Sequence, residues 1–369
     1  MNRIYNSLIK SIGALALTGL AACDYIHDDS LEPCEYRLRL VYDYNMKFAD
    51  AFGHEVTKAA LFICDNKGNF IRRQDIEGAE LKANDIAMDL KPGTYQVLTW
   101  AGLDDSSYQW PELTPGSSTI EEIRVKTLRE ADATQPNELT PLWHALDTLV
   151  VTGDRHEEKE ISLAKNTNKL RVVLQDTEGY SMDVRDFSFR IVADNGYMDY
   201  DNALLDDPAI TYLPYHTESV DIAAGADDDD LINGKPANQY VAVAELNTMR
   251  LMAGENYRLI VRHKDWEDDV LNVNLNQYLL LTQMEGHNIS AQEYLDRQDE
   301  YSIVFFLTPI VCPDCPDPEP DPEPEPEPDP DPKPDPDPEI PEPDVPIVGY
   351  ACYKIQVKDW IIRINSGEL

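Results

Sequence analysis

Leu90-Lys91-Pro92-Gly93-Thr94-Tyr95-Gln96-Val97-Leu98 ends one apolar run, turns, and starts another that continues through Thr99-Trp100. Proline presets the first φ of a type II turn and glycine accepts the positive second one, so the stretch reads as strand, tight turn, strand. Met252-Ala253-Gly254-Glu255-Asn256-Tyr257-Arg258-Leu259-Ile260-Val261 repeats that plan in the second half of the chain: a Gly turn, then a strand led by tyrosine. Two copies of one β-sandwich plan are therefore expected, in an all-β chain.

Outward from the first copy, the period stays at two. Tyr36, Leu38, Leu40 and Tyr42 alternate with Glu35, Arg37 and Arg39, the pattern of a strand with one buried face. Ala60-Leu61-Phe62-Ile63-Cys64 and Phe70-Ile71 flank Asp65-Asn66-Lys67-Gly68-Asn69, which reads as a hairpin turn. A calcium loop would need an oxygen ligand where Lys67 stands. Leu142-Trp143-His144, Leu149-Val150-Val151 and Glu160-Ile161-Ser162-Leu163 continue the β pattern, with no sustained helical period. Lys165-Asn166-Thr167-Asn168-Lys169 is a polar break. Beyond it Leu170–Leu174, Phe187–Val192, Tyr240–Val243 and Tyr301–Leu307 read as strands. Asn195-Gly196 signals a further hairpin. Ser290-Ala291-Gln292-Glu293 has capping-box spacing, so a one- or two-turn helix is predicted through Arg297. The four aspartates Asp227–Asp230 read as a solvated loop.

The ends of the chain differ from its middle. Asn2-Arg3 and Lys10 precede an apolar run from Ile12 to Leu20, followed by Ala21-Ala22-Cys23. A cationic start, a short apolar centre and small residues at the cut make a secretory signal, and the run falls short of the ~20 residues of a spanning helix. Leu20-Ala21-Ala22-Cys23 resembles the lipobox of bacterial lipoproteins. That resemblance implies acylation of Cys23 and a mature chain held to a membrane outside the cytoplasm.

At the other end, proline alternates with Asp or Glu from Pro313 to Pro346. Proline removes half of the backbone donors and like charges repel, so neither helix nor sheet forms and an extended spacer of about 100 Å is expected. Beyond it Tyr353, Ile355 and Val357 alternate with polar residues. Past Asp359 the phase flips to Trp360, Ile362 and Ile364, which implies two short strands or one bulged strand. Six such residues left in water would forfeit roughly 1.5–3 kcal/mol each, so they must be buried, in this chain or in another.

The net charge is −38, with fourteen acids against Lys333 alone between Asp314 and Asp344. Nucleic acid and anionic headgroups are repelled by such a chain. The seven histidines show no paired helical spacing, so no zinc hydrolase, no metal site and no cofactor is expected. Neither a Gly-x-Ser-x-Gly elbow nor a phosphate loop occurs, and no catalytic residue is assigned. Cys312-Pro313-Asp314-Cys315 lacks the second pair zinc wants and the helix a redox motif wants. A local disulfide, or a bond to Cys352 or to a partner, fits it better. Cys34 and Cys64 are read as a pair or as core residues.

The lipobox, Tyr42-Asp43-Tyr44-Asn45-Met46-Lys47-Phe48-Ala49-Asp50-Ala51-Phe52, the turn leading to Trp100-Ala101-Gly102, Leu142-Trp143-His144 and Glu293-Tyr294-Leu295-Asp296-Arg297-Gln298 together resemble the fimbrial anchor family of type V pili. These are minor lipoprotein subunits related to the fimbrillins of oral and gut anaerobes. The resemblance implies two tandem transthyretin-like β-sandwich domains and no enzymatic activity. It implies a subunit lipid-anchored through Cys23 in the outer membrane at the base of a fimbrium, bound to fimbrillin-type subunits. The first strand, Glu35 to Asp43, would be retained. The C-terminal strand would be donated to the adjacent fimbrillin through Tyr353, Ile355, Val357, Trp360, Ile362 and Ile364. The organisation is then signal peptide 1–22, tether 23–34, sandwiches 35–165 and 166–311, spacer 312–346 and donor-type segment 347–369. The long spacer departs from that family pattern. The competing readings are a tip or accessory subunit, or a surface adhesin with Trp100, Tyr108 and Trp110 as a sugar platform.

Overall fold

The computed structural model describes residues 35–153, 156–222, 239–284, 288–312, 340, 346–357 and 360–363. Residues 1–34, with Cys23 and Cys34, lie outside them, as do Asp227–Asp230, Cys315 and Ile364.

The first half contributes β1 (Tyr36–Val41), β2 (Lys58–Asp65), β3 (Phe70–Glu77), β4 (Ile86–Met88), β5 (Gly93–Ala101), β6 (Tyr108–Gln109), β7 (Val125–Thr127), β8 (Thr134–Gln135), β9 (Trp143–Val151), β10 (Glu157–Ser162) and β11 (Ala164–Lys165). Two short helices that no sequence period announced, α1 (Phe52–Glu55) and α2 (Gly78–Ala83), interrupt them. The sheet β11-β9-β5-β2-β3 faces the smaller sheet β10-β1-β4 across a core of Leu38, Leu40, Leu61, Ile63, Val97 and Trp143. β2 is buried on both faces: Leu61 and Ile63 enter this core, while Phe62 and Cys64 enter a second. That double burial is why its sequence reads as an unbroken apolar run.

The second half contributes β12 (Thr167–Asp176), β13 (Phe187–Ala193), β14 (Tyr197–Met198), β15 (Ile210–Tyr212), β16 (His216–Asp221), β17 (Tyr240–Met249), β18 (Arg258–His263), β19 (Asp269–Asn274), α3 (Leu275–Leu279), α4 (Ala291–Arg297), β20 (Glu300–Val311), β21 (Ile347–Val357) and β22 (Trp360–Arg363). One sheet runs β16-β17-β12-β20-β21-β22 and packs on β19-β18-β13-β15-β8. The fold is thus all-β, two sandwiches in tandem, ending in a strand pair. The sandwiches are not separate. The segment between β5 and β9 crosses over, placing β8 beside β15 and β7 beside β14, and one apolar core runs from Phe62 and Trp100 to Ile355 and Val357.

The turn at Asp65 forms as expected. Asp65 Oδ1 accepts from Lys67 N at 2.8 Å and Asn69 N at 3.0 Å, and Gly68 takes φ +83°. The helix after Ser290 also forms, with Ser290 Oγ accepting from Glu293 N at 3.1 Å.

Three expectations need correction. Gly93 does not take a positive φ; it is already the first residue of β5, paired with Val151. The left-handed glycine lies across the ladder instead, at Gly153, where a Cβ would stand 2.6 Å from Pro92. Asn195-Gly196 is not a hairpin, because β13 pairs with β15 and β18 while β14 leaves for β7. Asn195 is instead fully buried, its amide donating to the carbonyls of Met249 and Arg250 and accepting from the Tyr212 hydroxyl. Finally, the proline-rich segment does not hold the last strands away from the body. Cys312 N donates to Pro346 O at 3.0 Å, and Val311 faces Ile347. The residues that flank it therefore meet in one sheet, and the end-to-end reach of an open spacer does not apply.

Candidate functional site

Of the motifs that carried the family resemblance, Tyr42–Phe52, Trp100–Gly102, Leu142–His144 and Glu293–Gln298 converge on the joint between the sandwiches; the lipobox lies outside the described residues. The loop after β1 is built on its own polar side chains. Asp50 Oδ1 accepts from Tyr42 N and Phe52 N, both at 3.0 Å, and the Asn45 amide donates to the carbonyls of Tyr42 and Ala49. So folded, it presents Tyr44 and Phe48 to Arg297 of α4, whose guanidinium lies 4.1 Å and 4.7 Å from the ring centres. Met46 N donates to Arg297 O. Tyr42 meets Trp143 edge-on at 5.9 Å. Lys165 Nζ lies 5.4 Å from the Trp143 ring centre and bridges Glu55 of the first sandwich to Asp299 of the second. Burial opposes the Lys165 charge, but Asp299 and Glu55 outweigh it and its pKa ends above the ordinary lysine value.

Deeper in, the His144 ring packs on Trp100 at 4.7 Å and Nε2 bonds to Tyr200 O at 2.8 Å. Burial pulls its pKa down to about 4, so the ring is neutral and Nε2–H is the donor. Asn166 and Asn202 exchange amide hydrogen bonds across the joint. Arg250 grips Asp296 of α4 in a fork at 2.7 and 2.8 Å and donates to Asn202 O. Gly102 adopts φ +83°, and a Cβ there would meet Pro141 O at 1.9 Å, which is why glycine ends the Trp100-Ala101-Gly102 motif. The charged and amide groups here are all paired, whereas the buried indole N–H groups of Trp100 and Trp143 are not hydrogen-bonded, and no cluster of three metal-ligating side chains occurs among the described residues. The joint fixes orientation. Sequence reasoning singled out Trp143, His144, Asp296 and Arg297 but missed Asn166, Asn202 and Arg250, whose partners are remote in the chain.

The terminal ribbon is the second candidate region. Ile303 pairs with Val357 and Phe305 with Ile355, and Ile355, Val357 and Cys352 are buried in the second core. Tyr353, at a register shift, is 52% exposed. Lys354 Nζ lies 3.5 Å over the Phe306 ring. Tyr350 packs near Trp266 and Phe187 at 5.4 and 6.2 Å. The β21–β22 register sets Trp360 opposite Val357 and Ile362 opposite Ile355, and β22 is the edge of the sheet. The phase flip therefore separates two antiparallel strands, β21 and β22, of one sheet. Cys64 and Cys352 are free buried thiols, while Cys312 is disulfide-bonded, so the bond to Cys352 allowed by the sequence is not made. Of the proposed sugar platform, Trp100 and Tyr108 are core residues, 0% and 1% exposed, and Trp110 alone is half-buried at the surface.

No helix among the described residues is long and apolar enough to cross a membrane. A search of curated proteins returned no match. Among solved structures, a Bacteroides thetaiotaomicron protein described as a candidate polysaccharide-binding protein is 31% identical, with a TM-score of 0.71, covering 90% of this chain and 99% of its own. A candidate adhesin of the same organism is 28% identical (TM-score 0.69; 91% and 100% covered). The fimbrial anchor protein Mfa2 of Porphyromonas gingivalis shares the fold at 16% identity (TM-score 0.61; 90% and 99% covered). The family model of fimbrillin-A associated anchor proteins Mfa1 and Mfa2 matches residues 31–366. Anchors of that family work with fimbrillin subunits, and theirs is not a family of enzymes. With two sandwiches locked at a joint built from its own sequence motifs, this chain belongs to the family of fimbrillin-A associated anchor proteins Mfa1 and Mfa2.

Proposed function

We propose that this chain is the lipid-anchored base subunit of a fimbrium. Acyl chains on Cys23 hold it in the outer membrane, its terminal ribbon joins the adjacent fimbrillin, and assembly ends there. The observation that carries the reading is the seat of the first strand. β1 is paired on one side with β10 and on the other with β4, and its apolar face lies in the first core. A sandwich whose first strand stays in place has no groove for a neighbour's strand, so no further subunit can add on that side.

The ribbon is the element left to meet a partner, through Tyr353, Ile355, Val357, Trp360, Ile362 and Ile364. Ile355 and Val357 already seal this chain's own core, so insertion into a neighbour requires β21 to leave β20. The long acidic loop keeps it tethered when it does.

The test is a lock. Val304 and Gln356 face each other across β20 and β21, so a Val304→Cys/Gln356→Cys protein can be oxidised to hold the ribbon in place. The reduced protein should co-purify with fimbrillin and the oxidised one should not. Capture by both forms would mean that the partner meets the edge of β22 with the ribbon still seated; capture by neither would sink the anchor reading. In cells, Cys23→Ala should move fimbriae from the surface into the medium, as imaging would show.

A further inference from the structure

The geometry points to a binding site for a neutral glycan chain at Trp110, independent of whether the chain ends a fimbrium. Trp110 is the shared wall of two open clefts. One, of about 440 Å³, is lined by Lys58, Arg73, Asp75, Leu103, Asp104 and Trp110, among others. The other, of about 460 Å³, is lined by Gln109, Trp110, Glu122, Arg124, Lys126 and Tyr197, with Pro111. The indole packs on the second core, and the Arg73 guanidinium lies over one face of its ring, 5.6 Å from the ring centre and 5.4 Å from that of Phe62. A tryptophan needed only for packing would sit in the core, as Trp100 and Trp143 do. This one separates two clefts rimmed by hydrogen-bonding groups.

The chemistry of the lining selects the ligand. A pyranose has an apolar face of C–H groups, which stacks on an aromatic ring, and a rim of hydroxyls, which both donate and accept. Clefts flank Trp110 on both sides, which suits successive units of a chain, one stacked on the indole face that Arg73 does not cover, better than one enclosed sugar. Every cation in the clefts is already bridged: Lys58 to Asp104 at 2.6 Å, Arg73 to Asp75 at 2.6 Å, Arg124 to Asp199 at 3.1 Å and Lys126 to Asp207 at 2.7 Å. Paired in this way, the charges hold each other's rotamers and offer fixed hydrogen bonds without a net positive field. In a chain of net charge −38 that disfavours an anionic polymer. A protein partner would want exposed apolar surface, and none of the exposed large apolar side chains among the described residues lines either cleft.

The experiment is affinity electrophoresis of the full chain through gels containing mannan, xyloglucan, arabinogalactan or, as the anionic comparison, polygalacturonate. At least one neutral polysaccharide should retard the wild-type protein. Trp110→Ala should weaken that retardation at least about tenfold, the scale of a lost stacking contact, with the thermal melt of the protein unchanged. If Trp110→Ala does not fold, Gln109→Ala, an exposed residue of the second cleft, must weaken it instead. No retardation by any neutral polysaccharide, retardation by polygalacturonate alone, or full retardation of the altered proteins would overturn the assignment.

Discussion

At the joint, Arg250, Asp296, Asn166, Asn202 and His144 make side-chain hydrogen bonds inside the protein, each tied to one geometry. In the terminal ribbon, β21 adds a backbone ladder and three buried side chains, Cys352, Ile355 and Val357, to a sheet that would accept any strand of the right pattern. The joint is held by groups costly to leave unpaired, the ribbon by interchangeable ones. Polar networks of the first kind specify a unique arrangement; apolar ladders of the second kind can be exchanged between chains. A subunit that must hold one orientation and still engage a neighbour has use for both.

The contrast can be broken most severely at Arg250. Arg250→Ala leaves Asp296 buried without its fork, and losing one partner of such a pair costs about 3–5 kcal/mol. Urea unfolding should show that loss, and Val357→Thr, a change in the ribbon, should not rescue it. An Arg250→Ala protein as stable as the wild type would mean that the joint is not held by this network.

Next is pH. The His144 pKa is lowered to about 4 in the folded state, against about 6.5 unfolded. The stability from keeping this ring neutral is fully present above pH 6.5 and is lost as pH falls from there through 4, on the order of 3 kcal/mol in all. A His144→Gln protein keeps an amide donor for Tyr200 O and lacks that titration. Its denaturation midpoint should change less than the wild type's between pH 7 and pH 4.5, and equal slopes would remove His144 from the account.

The smallest effect should lie in the ribbon. Lys354→Ala removes the ammonium over Phe306, a contact worth about 0.5–1 kcal/mol at a site of this exposure. Chemical denaturation should register that small loss with no change at the joint.

Strand positions, the Asp65 turn and the capped helix after Ser290 were legible because period-two alternation, Asp and Gly turn chemistry and serine capping are local in sequence. Gly93 and Asn195-Gly196 misled for the opposite reason. Each carries a strong local turn signal, but β5 begins at Gly93 to pair with Val151, and Asn195 is drawn inward to satisfy the Met249 and Arg250 carbonyls. The joint motifs were recognisable as a set along the chain, yet that Tyr44 and Phe48 cover Arg297 could not be read from residues some 250 positions apart.

By itself the sequence determined that the last apolar stretch must be buried β structure, as two short strands or one bulged strand, that a proline-rich acidic segment of about 35 residues precedes it and that Cys23 follows a lipobox-like Leu20-Ala21-Ala22. Only the tertiary structure decided where the pair is buried. An apolar strand face specifies that it will leave water, not whose core it will enter. Closing a loop of about 35 residues costs only ~3 kcal/mol, because the cost grows with the logarithm of length. Burying Ile355 and Val357 returns roughly 1.5–3 kcal/mol each before any ladder bond is counted, and so the ribbon lies on β20 of its own chain.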